Sequence, residues 1–308
     1  MPYDIAVNIT DAQYLGEYQG SEKHPCDIEH VVARAKAKEV KMVFLGTSFQ
    51  SSVESAALAE AFGEYAVVGV HPLSSKECTA EDAAAIEEIA KQRTATGHES
   101  SIRQKVQAVI ERTERKHKKR VIGVGEIGLD YYRGKESKSE QKKVFQTMLE
   151  IARKHALPCV FHYRECEEDF LDIAAEYRDV RGVVHSFTGS AEEMKQLVKM
   201  GYYIGINGLS IKESESTAVI EELPLERILV ETDAPYCSLK KSSRYYESAG
   251  EYVAQRRKWS AEAGIRGRNE PANLHHVLDV VAEIKKIRKE DLAEITDKNF
   301  ESLFGNRG

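Results

Sequence analysis

The sequence is short of the features that mark unusual proteins. It has five cysteines in 308 residues (Cys26, Cys78, Cys159, Cys166 and Cys237), and no two form a CxxC pair. An odd, scattered set argues against a disulfide framework and fits a reducing compartment. Seven prolines and 20 glycines leave no room for a low-complexity linker. No apolar run approaches the ~20 residues of a membrane span. The start, MPYDIAVNITD, lacks the basic segment and apolar stretch of a secretory signal. Cytoplasm and nucleus are the compartments this leaves. Positive charge is also in short supply: 44 Lys and Arg stand against 50 Asp and Glu, a net charge of −6. Taken as a sum, that counts against a polyanion partner. What is present is core material, since 42% of residues are hydrophobic and 31% charged. At roughly 150 residues per domain the length fits two domains, or one α/β barrel.

The pattern along the chain favours the barrel. Eight short runs, mostly rich in Val and Ile, occur at 4–9, 41–45, 66–70, 120–124, 157–161, 182–184, 202–206 and 228–230. They are apolar on consecutive positions, as strands buried on both faces are. Amphipathic stretches lie between them at 27–38, 81–93, 140–155, 166–177 and 191–200, and further helices are expected at 272–285 and 289–304. Strand–helix alternation with eight strands predicts a single TIM (β/α)8 barrel over residues 1–308. A doubly wound open sheet is the alternative. The widest gap, between the third and fourth strands, predicts an elaborated crossover with a helix over 102–118. A long loop is expected at 238–271.

A barrel of this kind builds its active site at the carboxyl ends of its strands. Those exits carry Asn8 and Thr10, Thr47, His71, Glu126, His162, His185, Asn207 and Asp233. Three histidines and two carboxylates on one rim are metal-ligand types. A buried carboxylate is costly without a counter-charge, and a cation supplies one. The plainer alternatives stay open. His71 precedes Pro72 and can mark a turn, Glu126 and Asp233 can pair with basic side chains, and Glu231 can support the rim or pair with an arginine. Arg164 shares the direction of His162 along its strand, or pairs at the surface with Glu165 or Glu168. Tyr131, Tyr132 and Tyr163 can stack on bases or simply pack.

Seven strings carry a family likeness: GVHP (69–72), GEIGLDYY (125–132), HYRE (162–165), HSFTG (185–189), GINGLS (205–210), ETDAPY (231–236) and RNEP (268–271). In this order they resemble the TatD-related metal-dependent deoxyribonucleases, and DIAVNITDAQYLGEYQG is similar to the eukaryotic branch. The resemblance implies a barrel of the amidohydrolase type. It implies divalent metal on Glu126, His162, His185 and Asp233, and hydrolysis of DNA phosphodiester bonds. The mode implied is 3′→5′ exonucleolytic, with endonuclease activity also open. The partner is then DNA, single-stranded or at 3′ ends, and no membrane.

One departure has a physical consequence. The wider family has an HxH pair after the first strand, where this chain has Asn8-Ile9-Thr10. Two imidazoles and a carboxylate (His162, His185, Glu126) suit Mg²⁺, Mn²⁺ or Zn²⁺. The subsite left with Asp233, Glu126 as a bridge, water and Asn8 is oxygen-rich and favours weakly held Mg²⁺. One tight and one loose metal site are expected, with Mg²⁺ the principal ion. Asp233 and Glu126 are the catalytic carboxylates, and His71 binds phosphate or protonates the leaving oxygen. Arg164 offers a fork matched to phosphate. Asn8, Thr10, Asn207 and Arg268 are the other candidate substrate contacts, although Asn207 and Thr188 can equally cap loops, and Arg268 and Glu270 can fix the rim.

The loop 238–268 carries eight basic residues against three acidic ones, with Tyr245, Tyr246, Tyr252 and Trp259 interleaved. That is a candidate strand-binding platform; a solvated loop with one buried tryptophan is its plain counterpart. The basic cluster 112–120 falls at the amino end of the fourth strand and reads as a solvated face. Two other functions compete: an amidohydrolase-like reaction on another bond, and a metal-loaded scaffold without catalysis.

Overall fold

A computed structural model describes residues 1–113, 119–211, 214–247, 249–250 and 253–305. Eight strands follow one another in chain order in a single sheet. They are β1 (Tyr3–Val7), β2 (Lys41–Leu45), β3 (Tyr65–Val68), β4 (Val121–Asp130), β5 (Cys159–Arg164), β6 (Gly182–Val184), β7 (Tyr203–Ile206) and β8 (Ile228–Val230). Val7 bridges in parallel to Ala234, just past β8, and the Asn8 amide donates to the Ala234 carbonyl at 2.8 Å. The last strand therefore returns to the first, which is the (β/α)8 barrel the alternation predicts.

The helices are α1 (Ile28–Ala37), α2 (Phe49–Phe62), α3 (Ala80–Gln92), α4 (Gln104–Arg112), α5 (Lys138–Lys154), α6 (Glu167–Ala175), α7 (Ala191–Lys199), α8 (Ser214–Glu222), α9 (Leu274–Lys285) and α10 (Lys289–Phe304). Their amphipathic periodicity makes most of them legible. Helix α2 is not amphipathic: Ser51 through Ala59 are all buried, so its sequence has no polar face to reveal a period. Ser48 starts it through a capping box with Ser51, and Gly63 ends it at φ 75°. Its buried Glu54 accepts from the Arg103 amide at 2.8 Å and is gripped by the Arg103 guanidinium. That grip holds Arg103 extended, so α4 begins at Gln104, later than the expected 102. The end of the expected helix, 114–118, lies outside the described residues, as does part of the basic cluster 112–120.

By contact the chain forms two compact units, each assembled from three separate stretches. The first comprises Met1–Val43, Ser186–Lys195 and Ile204–Glu301. In it β7 pairs with β8 in parallel, Ile204 opposite Ile228. The loop after β8 belongs here, and its described residues include a two-residue parallel pairing of Gln255–Arg256 with Gly264–Ile265 and an antiparallel bridge between Ser260 and Ala263. The second comprises Phe44–His185, Gln196–Tyr203 and Ser302–Gly308. It carries the parallel pairs of β3 with β4, β4 with β5, and β5 with β6.

Strand β4 runs further than its apolar run suggests. It continues through Glu126 to Asp130, and all ten of its residues are buried. Its glycines explain the length. A Cβ on Gly125 would meet Val160 at 2.8 Å, and one on Gly128 (φ +143°) would meet the His162 carbonyl at 2.0 Å. Only glycine lets β5 lie this close. A register shift between Gly125 and Ile127 then turns the strand at Glu126. Among the described residues no helix is long and apolar enough to cross a membrane.

Candidate active site

The second unit gathers four of the residues expected at the strand exits. Glu126, 4% exposed, presents Oε1 to three imidazoles. His162 Nδ1 lies 2.6 Å from that oxygen, His185 Nε2 2.7 Å and His71 Nε2 3.5 Å. The close approach of β5 to β4 produces the first contact, and β6, paired with β5, brings in His185. His71 follows β3, and its amide donates to the Thr47 carbonyl at 2.9 Å.

Asp130 completes the cluster and was not among the expected residues. Its Oδ2 lies 3.2 Å from His162 Nε2, so both ring nitrogens of His162 face carboxylates. The signal in the sequence is its place four residues beyond Glu126 in GEIGLDYY, but the apolar run predicts that the strand ends at Val124, short of Asp130.

Protonation follows from these contacts. Burial works to raise the Glu126 carboxyl, but His185, His71 and His162 outweigh it and hold it well below the usual range. Burial works to lower His162, and its hydrogen bonds to Asp130 and Glu126 outweigh it, so it is raised. Burial dominates at His71 and pushes it down to about 4, with Glu126 opposing. The His71 ring is neutral at pH 7. Its Nδ1 accepts from the Leu73 amide at 3.1 Å, which opens the turn Pro72–Ser74. The turn reading of HisPro is thus correct, and it has a consequence: with Nδ1 occupied as acceptor, the neutral ring carries its hydrogen on Nε2.

The donor set fits a divalent cation. His71, Glu126 and His162 each offer a ligand atom within 4.8 Å of the others. The charges facing the buried Glu126 carboxylate are imidazoles, whose nitrogens exchange a proton for a metal. His185 lies outside the group of His71, Glu126 and His162, although its Nε2 approaches the same Glu126 oxygen.

The first unit places the other expected residues. Asp233 adopts φ +53°, a strained conformation that aspartate tolerates better than most residues. Its Oδ1 accepts from Asn8 Nδ2 at 2.9 Å, and its Oδ2 from the Cys237 thiol at 3.1 Å. Burial and the Asp233 charge raise the Cys237 thiol, which keeps its proton and serves as donor. Thr10 is 8% exposed.

Two of the candidate substrate contacts are buried and hydrogen-bonded within the protein. Asn207 is fully buried, and its amide donates to Ser186 Oγ and Glu231 Oε1, both at 2.9 Å. Its own Oδ1 accepts from the Leu209 and Ser210 amides, so it shapes a loop and orients Glu231. Arg268 is 2% exposed and grips both oxygens of Asp27 at 2.9 and 2.6 Å. It also reaches Glu270 at 3.0 Å, and Arg34 holds Glu270 from the other side at 2.7 Å. This buried fork anchors the loop end to Asp27 at the start of α1, the rim-fixing alternative for Arg268.

The aromatic residues divide by burial. Tyr132 is 56% exposed, with the Arg164 guanidinium 5.1 Å from its ring centre. Tyr131 and Tyr163 are buried and pack. Trp259 stacks parallel to His24 at 6.3 Å and meets His30 edge-on, and Tyr245 is buried beside Arg244. Of the expected platform aromatics Tyr245 is buried, Tyr246 and Trp259 are half-buried, and Tyr252 lies outside the described residues. The basic half is exposed at Lys240, Lys241, Arg244, Arg256, Arg257, Lys258 and Arg266.

Comparison with known proteins bears on this arrangement. The family model described as TatD related DNase matches residues 3–305. The Deoxyribonuclease Tat-D of Schizosaccharomyces pombe is 35% identical, covering 95% of this chain and 92% of its own. The 3′-5′ ssDNA/RNA exonuclease TatD of Citrobacter koseri is 30% identical, covering 98% of both. A crystal structure of a hydrolase TatD family protein from Entamoeba histolytica superposes with a TM-score of 0.79 at 28% identity, covering 98% of this chain and 97% of the other.

Proposed function

The chain belongs to the TatD-related DNase family, and on that premise we propose that it hydrolyses DNA phosphodiester bonds with a divalent cation, acting 3′→5′ on single strands. Endonucleolytic cutting is a further mode of the same site. The observation that carries the proposal is the convergence of His162, His185 and His71 on one buried oxygen of Glu126. The 3′→5′ single-strand mode is supported by the Citrobacter relative, whose name states it.

Glu126, His162 and His185 would hold the cation, with Asp233 as a further metal carboxylate. The chemistry such an ion, Mg²⁺ foremost, would supply is acidification of a water and charge relief at the phosphate. The side chains do the rest. Asp130 secures the His162 ring through Nε2, which leaves Nδ1 as the inward-facing nitrogen. Asp233, fixed by Asn8 and Cys237, orients the attacking water and takes its proton. His71 donates a hydrogen bond from Nε2 to a phosphate oxygen. Phosphate binding, rather than acid catalysis, suits a ring that stays neutral down to about 4. Arg164, standing on the exposed Tyr132 ring, presents a cation to the same phosphate.

The whole chain serves as one barrel domain. Support comes from the three-stretch make-up of each compact unit, which no single cut separates. The five cysteines, none in a disulfide, support a cytoplasmic or nuclear setting. The decisive assay uses 5′-labelled single-stranded DNA with Mg²⁺ or Mn²⁺. Stepwise shortening is expected, abolished by EDTA, by Glu126→Gln and by Asp233→Asn. If clean protein releases no nucleotide while the variants bind DNA like wild type, the chain is a scaffold and not a nuclease.

A further inference from the structure

Beside His71 lies a cavity of about 200 Å³ that the chemistry above leaves unused. Its walls include Ser48, Phe49, Val70, Ser74, Glu77 and Asp82. Several of these are immediate neighbours of the reactive rim. Val70 directly precedes His71, the Ser74 amide donates to the His71 carbonyl at 2.8 Å, and Ser48 follows Thr47, whose carbonyl holds the His71 amide. A strand whose phosphate rests on His71 therefore has this cavity next to it. The volume is below the roughly 300–1,000 Å³ of drug-sized sites and well above the ~30 Å³ of one water. It suits one flat ring system.

The chemistry of the wall selects the occupant. Backbone amides that could cradle a phosphate are already spent: the Ser51 amide goes to Ser48 Oγ, and those of Thr47 and Ser48 go to Ser51 Oγ. The Thr79 and Asp82 side chains cap each other's amides at the start of α3. Two carboxylates in the wall repel an anion. Phe49, whose ring stands nearly perpendicular to that of His98 at 5.8 Å, brings an aromatic ring to the wall. The exposed Glu77 accepts hydrogen bonds and donates none.

We infer that this cavity is a nucleobase subsite, in which the base beside the scissile phosphate stacks on Phe49 and gives its exocyclic amine to Glu77. The inference rests on the nuclease reading and deepens it: the site takes adenine and cytosine, which carry such an amine, in preference to thymine, which does not. Thymine sets a carbonyl oxygen where adenine and cytosine set the amine, and that oxygen would face the Glu77 carboxylate, acceptor against acceptor.

The test compares initial rates on labelled oligo-dA, oligo-dC and oligo-dT with the metal-loaded full-length protein. Faster shortening of oligo-dA and oligo-dC than of oligo-dT is expected. Phe49→Ala should raise KM on the favoured strands about tenfold with kcat unchanged, the scale of one lost base stack, and Phe49→Tyr should restore it. Glu77→Gln should bring the three strands to near parity. Binding of deoxyadenosine, deoxycytidine and thymidine, followed by NMR, gives a second readout without catalysis. The first two nucleosides should bind the wild type and be lost in Phe49→Ala. If folded Phe49→Ala and Glu77→Gln proteins keep wild-type KM and base ranking, and bind nucleosides like wild type, the subsite is refuted while the nuclease stands. If no oligonucleotide is shortened yet deoxyadenosine and deoxycytidine bind through Phe49, the nuclease reading fails and the subsite stands.

Discussion

Asn8 Nδ2 donates to Asp233 Oδ1 at 2.9 Å, joining the exit of the first strand to the exit of the last. Asn8 therefore acts on a carboxylate of this chain, where a histidine in its place would act on a metal. A hydrogen bond to a charged acceptor is worth about 1.5–3 kcal/mol. Asn8→Ala should lower kcat by roughly tenfold or more on that scale. Asn8→Asp should be worse, because it sets a like charge against Asp233. Cys237→Ser, which keeps a donor, should stay close to wild type. Steady-state kinetics on single-stranded DNA checks all three.

Metal should bind unequally. Glu126 with His162 and His185 offers a nitrogen-rich, largely buried set, whereas Asp233 already spends both oxygens on Asn8 and Cys237. Calorimetric titration of EDTA-treated protein should show one tight site in the absence of DNA, weakened strongly by Glu126→Gln. Saturating that site at 100 times its Kd should stabilise the fold by about 2.7 kcal/mol, seen as a rise in Tm. Two equally tight sites without DNA would contradict this assignment.

The metal-free protein should lose stability on acidification. His71 is lowered to about 4 by burial, from an ordinary value of 6.5. Its contribution is therefore present above 6.5 and lost as pH falls through about 4, a loss of roughly 3 kcal/mol at most. Glu126 is also lowered, so its contribution too is present at neutral pH and lost in acid. His162 is raised, so its contribution has the opposite sign: full below 6.5 and lost as pH rises. Urea unfolding between pH 7 and 4 should show net loss in wild type and a shallower slope in His71→Gln. An equal slope would show that His71 is not held neutral by the fold.

Arg268 should behave as an anchor. Arg268→Ala leaves Asp27 and Glu270 buried with one partner fewer, and breaking such a pair costs about 3–5 kcal/mol. Arg268→Lys cannot span both oxygens of Asp27 and should recover only part of that. KM for DNA, measured well below the lowered Tm, should be unchanged. A large KM effect with normal Tm would restore Arg268 as a substrate contact.

Much of this was legible in the residues themselves. The strands at 41–45, 182–184 and 228–230 appear at the predicted limits, because a run buried on both faces is written as consecutive apolar residues. His162, His185, His71 and Glu126 could be named because barrel geometry sends strand exits to one rim. Helix α2 and the continuation of β4 to Asp130 were not legible. Burial all round removes the period that marks a helix, and glycines that read as a strand's end are here the means by which β5 comes close.

By itself, then, the sequence determined the alternation of strands and helices, the order of motifs and the set of residues able to carry chemistry, since these depend on local period and on residue type. Only the tertiary structure decided what each polar side chain spends its hydrogen bonds on. Arg268 and Asn207 have the chemistry of substrate contacts and equally that of rim and loop supports, and in the fold the first bonds to Asp27 and Glu270 and the second to Glu231 and Ser186. Asp130 looked unremarkable and is fixed to His162. A side chain's capacity to bond is written in its own atoms, but its partner is chosen by residues far away in the chain, and that choice exists only once the chain has folded.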